Sequence, residues 1–203
     1  MIYCSHKFYY FINMSLNNNT SKSRAYAMEY GTFLGLSWSI IFLLYTTSII
    51  NNNFLLMLLS SIMLISLPLF SFYLSWRYST KIIIQNLSWL QSWSFAFMMY
   101  VYASLLTGAV EFIYFKYFDN GALFNSIKSM AYDNDMFEIY KNAGMENYVI
   151  TLRESVDAIL QISTIDLTLS LFNQNIFTGM ILSIPCMIII KKLHKQNVNN
   201  NLN

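Results

Sequence analysis

Residues 54–76 read FLLMLLSSIMLISLPLFSFYLSW, with no charged side chain between Phe54 and Trp76. A helix rises about 1.5 Å per residue, so this run is long enough to cross a hydrocarbon core about 30 Å thick. Lipid offers backbone amides no partners, and one segment can satisfy all of its own amides only as an α-helix. The run therefore predicts a membrane span, with Pro68 as a tolerated kink.

Moving toward the N-terminus, Asn51, Asn52 and Asn53 separate this run from YGTFLGLSWSIIFLLYTTSII at 30–50, which is also free of charge. So short a connection predicts a tight helical hairpin. Toward the C-terminus, two further apolar runs fall at about 92–115 and about 167–190. The first contains Glu111; the second is preceded by Asp166 and contains Pro185. Four spans are expected. The composition agrees: of 203 residues, 56% are hydrophobic and 11% charged, where a soluble domain carries about 25% charged residues. A net charge of +2 is too small to point to nucleic acid.

Charge gives a direction. Lys7, Lys22 and Arg24 precede the first run, Arg77 and Lys81 follow the second, and Lys191, Lys192 and Lys195 follow the fourth; only Glu29 is acidic in those regions. The stretch 119–165 instead carries Lys128, Lys141 and Arg153 against Asp119, Asp133, Asp135, Glu138, Glu146, Glu154 and Asp157. Basic residues are retained on the cytoplasmic side. The expected topology is multi-pass in a bacterial inner membrane, with both termini inside and 119–165 outside. Aromatic residues gather where interfaces are needed, at Phe72, Tyr73, Trp76 and Tyr78, at Trp89 and Trp93, and at Tyr114, Tyr117 and Phe118.

The outer stretch has a pattern of its own. Val149, Leu152, Val156, Ile159 and Ser163 recur at helical spacing, widened by Leu160, and predict an amphipathic helix over about 146–161 begun after Gly144. Leu123, Ile127 and Met130 predict a shorter helix over 122–131, and 135–143 predicts another turn or two. Such helices lie on a membrane surface or cap a bundle. The expected fold is all-α: an integral membrane four-helix bundle over 29–192, with an extracytoplasmic amphipathic helical segment between the third and fourth spans. Residues 1–28 and 193–203 are read as cytoplasmic tails, the first disordered and uncleaved, with Met14 and Met28 as further candidate starts.

Glu111 is the one candidate site residue. An ionisable group within a span is costly and is a functional hypothesis by default. It stands about one turn from the end of its run, near Lys116 and Tyr114. Reaching the interface or pairing with Lys116 is its structural role; contacting an ion, proton or substrate is its functional one. Asp166 and Glu29 stand at the starts of runs, where a carboxylate meets the positive end of the helix dipole. Gly31 with Gly35, Ser104 with Gly108, and Gly179 with Ser183 are small pairs at four-residue spacing, suited to close helix packing. Cys4 and Cys186 fall outside the outer stretch, so no structural disulfide is expected, and His6 and His194 stand in the tails, where no metal site is expected. No catalytic residue and no cofactor motif is found. The expected function is non-enzymatic: a structural or partner-binding membrane component, meeting the bilayer and, through 119–165, another membrane or periplasmic protein. The alternative is a small transporter or channel subunit using Glu111.

Four features together carry a resemblance. They are Tyr30-Gly31 with Gly35 at the start of the first run, and the basic loop from Arg77 leading into 88–97. The others are the run Ile113-Tyr114-Phe115-Lys116-Tyr117-Phe118-Asp119 and a Gly179-bearing last run ending in Lys191-Lys192. Over roughly 29–192 the chain resembles a family of small inner-membrane proteins of Bacteroidota known as domain of unknown function 4199. The resemblance implies membrane localisation and a four-span fold. That family has no established activity, so it implies no functional residue.

Overall fold

The structure, a computed structural model, describes the backbone of residues 2–81, 88–159 and 161–200, and the side chains of 21–80, 88–135, 137–159 and 161–193. Cys4, His6, His194, Lys195 and Leu160 thus lie outside the described side chains. Seven α-helices and no strand occur among the described residues: α1 (Ile2–Ile50), α2 (Phe54–Lys81), α3 (Trp89–Ile113), α4 (Ala122–Ala131), α5 (Asn134–Asn142), α6 (Glu146–Ile159) and α7 (Thr164–Asn200). A π-helical turn, Tyr114–Phe118, continues α3. Among the described residues, four stretches are long and apolar enough to cross a membrane: Ser21–Ile50, Phe54–Thr80, Trp89–Phe118 and Thr164–Leu193.

Each helix boundary has a local cause. Asn52 takes a left-handed backbone (φ 48°) in the α1–α2 turn, and Asn53 caps α2 by accepting from the Leu56 N–H at 3.2 Å. Ser88 and Gln91 form a reciprocal capping box at the start of α3, each side chain accepting from the other's backbone N–H at 3.1 and 3.0 Å. Ser163 accepts from the Asp166 N–H and donates to the Asp166 carboxylate, which opens α7. Gly144, at φ 73°, ends α5, and the Met145 N–H bonds back to the Tyr140 carbonyl at 2.8 Å.

The chain divides into two compact units. The first takes the chain as far as Gly35, then Pro68–Ser104, and everything from Ile176 onward. Its core joins Ala27, Tyr30 and Leu34 of α1, Leu74 and Tyr78 of α2, Phe95, Ala96, Met99 and Tyr100 of α3, and Cys186 and Ile190 of α7. Tyr78 stacks flat on Phe95, with ring centroids 3.4 Å apart, and Tyr30 meets Phe95 edge-on. The Ser23 and Tyr78 hydroxyls lie 2.6 Å apart.

Those contacts move a boundary. The expected disordered tail ended at 28, yet α1 is helical before that point, and Ser23 and Ala27 pack within this unit. Lys22, Arg24 and Glu29 suggested the later start, but charged heads on long stems leave a helix end free to pack on its other face. At the C-terminus the helical backbone of α7 likewise extends through the expected tail to Asn200.

The second unit comprises Leu36–Leu67 and Leu105–Asn175. Phe42 of α1 meets Tyr114 and Phe115 of the π turn edge-on, and Phe115 stacks on Phe124 of α4. Leu123 and Ala131 of α4 and Val149 and Val156 of α6 are buried. The three short helices match the predicted positions to within about two residues.

Candidate functional site

The third long helix supplies the site. One face of α3 is buried along its length, with Tyr100 and Ser104 in the first unit and Thr107, Gly108 and Glu111 in the second. Their spacing of three and four residues keeps them on one side of the helix.

In the second unit, α7 lies against this face. A methyl group placed on Gly108 would come 3.3 Å from the Phe172 ring, so the missing side chain is what lets α7 approach. That approach brings Asn175 to Glu111. The Asn175 Nδ2–H donates to Glu111 Oε1 at 3.4 Å, a long hydrogen bond, while Oε2 is buried without a partner. Glu111 is 4% exposed.

The expected pairing of Glu111 with Lys116 is absent. Lys116 does not reach it; its ammonium stands over the Phe112 and Tyr117 rings, 5.2 and 5.4 Å from their centroids. Helical side chains lean toward the N-terminus of their own helix. Glu111 accordingly leans back along α3, away from the π turn that holds Lys116. Asn175 stands roughly 16 Å along the helix from Thr164, near the middle of the apolar stretch Thr164–Leu193. The carboxyl thus meets its partner beside the middle of that apolar stretch.

The first unit holds a separate polar cluster. Tyr100 Oη donates to Ser71 Oγ at 2.6 Å, Ser71 Oγ donates to the Pro68 carbonyl at 2.7 Å, and Cys186 Sγ lies 3.7 Å from Ser71 Oγ. A methyl on Gly179 would fall 2.6 Å from Tyr100 Cβ, and one on Gly31 would fall 2.6 Å from the Met99 carbonyl oxygen. The small pairs named from the sequence therefore sit at helix approaches inside this chain. Asp166 is engaged with Ser163 at the start of α7. Among the described residues, no group of three or more His, Cys, Asp or Glu side chains could hold a metal ion.

Outside the spans, α4–α6 are tied by polar contacts. Asp157 of α6 accepts from Lys128 Nζ at 2.9 Å and from the Tyr132 hydroxyl. Arg153 lies over the Tyr132 and Phe137 rings, 4.9 and 4.8 Å from their centroids. Its neighbours hold the Asp157 carboxyl below its ordinary range, first through the Tyr132 bond and then through Lys128. Asn175 and Tyr132 were missed by sequence reading. The mid-span amide run Asn173-Gln174-Asn175 was a usable signal for the first, since a buried amide in a membrane helix seeks a partner.

No curated protein and no solved structure matches this chain. One family model does, under the description "Protein of unknown function (DUF4199)", over residues 29–192. That match covers the second and third apolar stretches whole and nearly all of the first and fourth, and the chain belongs to this family of proteins of unknown function.

Proposed function

We propose that the chain is a non-enzymatic, multi-pass component of a bacterial inner membrane, both termini inside, which recognises another membrane or periplasmic protein through α4–α6. The observation carrying this reading is what α4–α6 expose. Met130, Ile139, Tyr148 and Ile150, on helices too short to span, and Met145, between α5 and α6, are large apolar side chains open to solvent. Around them Asp135, Glu138, Glu146 and Glu154 are exposed, while Lys128 and Arg153 are engaged within the segment. The partner that suits this surface is apolar at its centre and basic at its rim.

A photoreactive residue at Ile139 or Tyr148 in the full chain tests the reading. Expected is crosslinking to one defined protein, lost on Val156→Asp and kept on Glu111→Gln. Crosslinks to lipid alone, or recovery lost only on Glu111→Gln, would overturn it. Orientation is checked by thiol labelling of intact cells: a cysteine at 140 reacts from outside and one at 195 does not.

A second reading is supported by Glu111 itself. A buried carboxyl with one oxygen unpartnered suits a small carrier or channel subunit that moves a cation through its spans. Flux in liposomes that disappears in Glu111→Gln supports it, and equal flux in both proteins sinks it.

A further inference from the structure

We infer that Glu111 and Asn175 form a proton-binding site, with Glu111 held as the neutral acid while the helices are packed as they are here. The inference deepens the second reading above and rests on its choice of Glu111 as the working group.

The hydrogen bonds are the first ground. An ionised carboxylate is acceptor-only, with two oxygens to satisfy. Here one oxygen receives a single long bond from Asn175 and the other receives none. A protonated carboxyl accepts through Oε1, where the Asn175 N–H reaches it, and leaves one neutral O–H at Oε2 without a partner. The carboxylate would leave that oxygen unmet and a buried charge uncompensated as well, so the site favours the neutral acid.

Charge balance is the second. A buried charge without a partner takes up or loses a proton rather than remaining charged. In the same unit, Leu36–Leu67 of α1 and α2 carries no ionisable side chain except Tyr45, which is exposed. On α3 from Leu105 to Ile113, Glu111 is alone. In the π turn, Lys116 faces aromatic rings and Tyr114 faces Phe42. Asp119 caps α4 through the Leu123 N–H. On α7 as far as Asn175, Asp166 is bonded to Ser163. Among the described residues, no cation neutralises Glu111.

The donor set is the third. Calcium takes six to eight oxygen ligands and magnesium demands a near-ideal octahedron. Asn175 turns its N–H, not its carbonyl, toward the carboxyl, and the Thr168 hydroxyl is directed at the Thr164 carbonyl. One carboxyl beside one amide is too sparse for a metal ion and sufficient for a proton. The step is a simple equilibrium: the O–H bond at Oε2 breaks, the proton leaves to a water or base admitted when α3 and α7 part, and the electron pair stays on the carboxylate.

The test uses the full chain in phosphatidylcholine nanodiscs. Infrared spectra at neutral pH are expected to show a protonated carboxyl band in the wild type that is missing in Glu111→Gln. Dicyclohexylcarbodiimide, which modifies protonated carboxyls in apolar surroundings, is expected to label the Glu111 peptide of the unmutated chain. That labelling should fall about tenfold per pH unit above the titration point, as for one proton. An absent band together with an unlabelled Glu111 at neutral pH overturns the site, whatever the flux assay shows. A protonated, labelled Glu111 in a chain without flux upholds the site and removes only the carrier reading.

Discussion

Arg153 donates its Nε–H to the Ala131 carbonyl oxygen at 2.8 Å, joining the middle of α6 to the last turn of α4. A helix leaves its final carbonyls without internal donors, and a cation there also meets the negative end of the dipole. The guanidinium plane lies over Tyr132 and Phe137 as well, so one side chain touches all three short helices.

Arg153→Lys is therefore not conservative, because lysine lacks the planar group that bonds and stacks at once. Arg153→Met is expected to destabilise α4–α6 by roughly 2 kcal/mol, from a lost hydrogen bond to a charged donor and lost cation–π contact. Arg153→Lys should cost about half of that. Amide hydrogen exchange of 122–159 measures both; unchanged protection in the methionine variant contradicts the tie.

The Asp157 contacts make this segment sensitive to pH at both ends. Asp157 is held below its ordinary range, so its contribution is present above about pH 4 and lost as pH falls through the lowered value. Lys128 and Tyr132 are both raised, chiefly by their hydrogen bonds with Asp157. Their contributions are full below about pH 10 and fade as pH rises through the raised values. Protection of α6, corrected for intrinsic exchange, is expected to form a plateau between those limits. Asp157→Asn should lower the plateau and remove the acid-side fall.

Helix approach predicts a contrast between two glycines. In Gly31→Ala the new methyl meets the Met99 carbonyl at 2.6 Å, and backbone cannot swing aside. In Gly108→Ala it meets only the Phe172 ring, at 3.3 Å. Gly31→Ala is expected to cost about 1–3 kcal/mol, as overpacking does, and Gly108→Ala less than about 1 kcal/mol. Thermal unfolding in detergent ranks them; equal losses would show that α1 and α3 do not approach as closely as described.

The polar cluster predicts an asymmetry. Tyr100→Phe removes a donor, yet Ser71 still bonds to the Pro68 carbonyl, so a cost of about 0.5–1 kcal/mol is expected. Ser71→Ala removes the acceptor of the buried Tyr100 hydroxyl and should cost about 1–3 kcal/mol. A double-mutant cycle between the two positions gives the coupling.

Much of this molecule was legible before any coordinates. Helices were placed over 122–131 and about 146–161, against 122–131 and 146–159 observed, because an amphipathic stripe is written in spacing along one helix. The start of α1 was placed too late because charge was read as the end of packing, whereas Ser23, between Lys22 and Arg24, and Ala27 beyond them pack inward. The π turn at Tyr114–Phe118 left no mark in composition or period.

Helicity and the positions of the four long apolar stretches could be read from the chain alone, because the cost of unsatisfied amides in lipid is counted along one segment at a time. That Glu111 meets Asn175, 64 residues away, and not the nearby Lys116, emerged only from the packed helices. That choice follows from side chains leaning back along their own helices and from the register in which Gly108 admits Phe172, and neither partner's neighbours in the chain encode it.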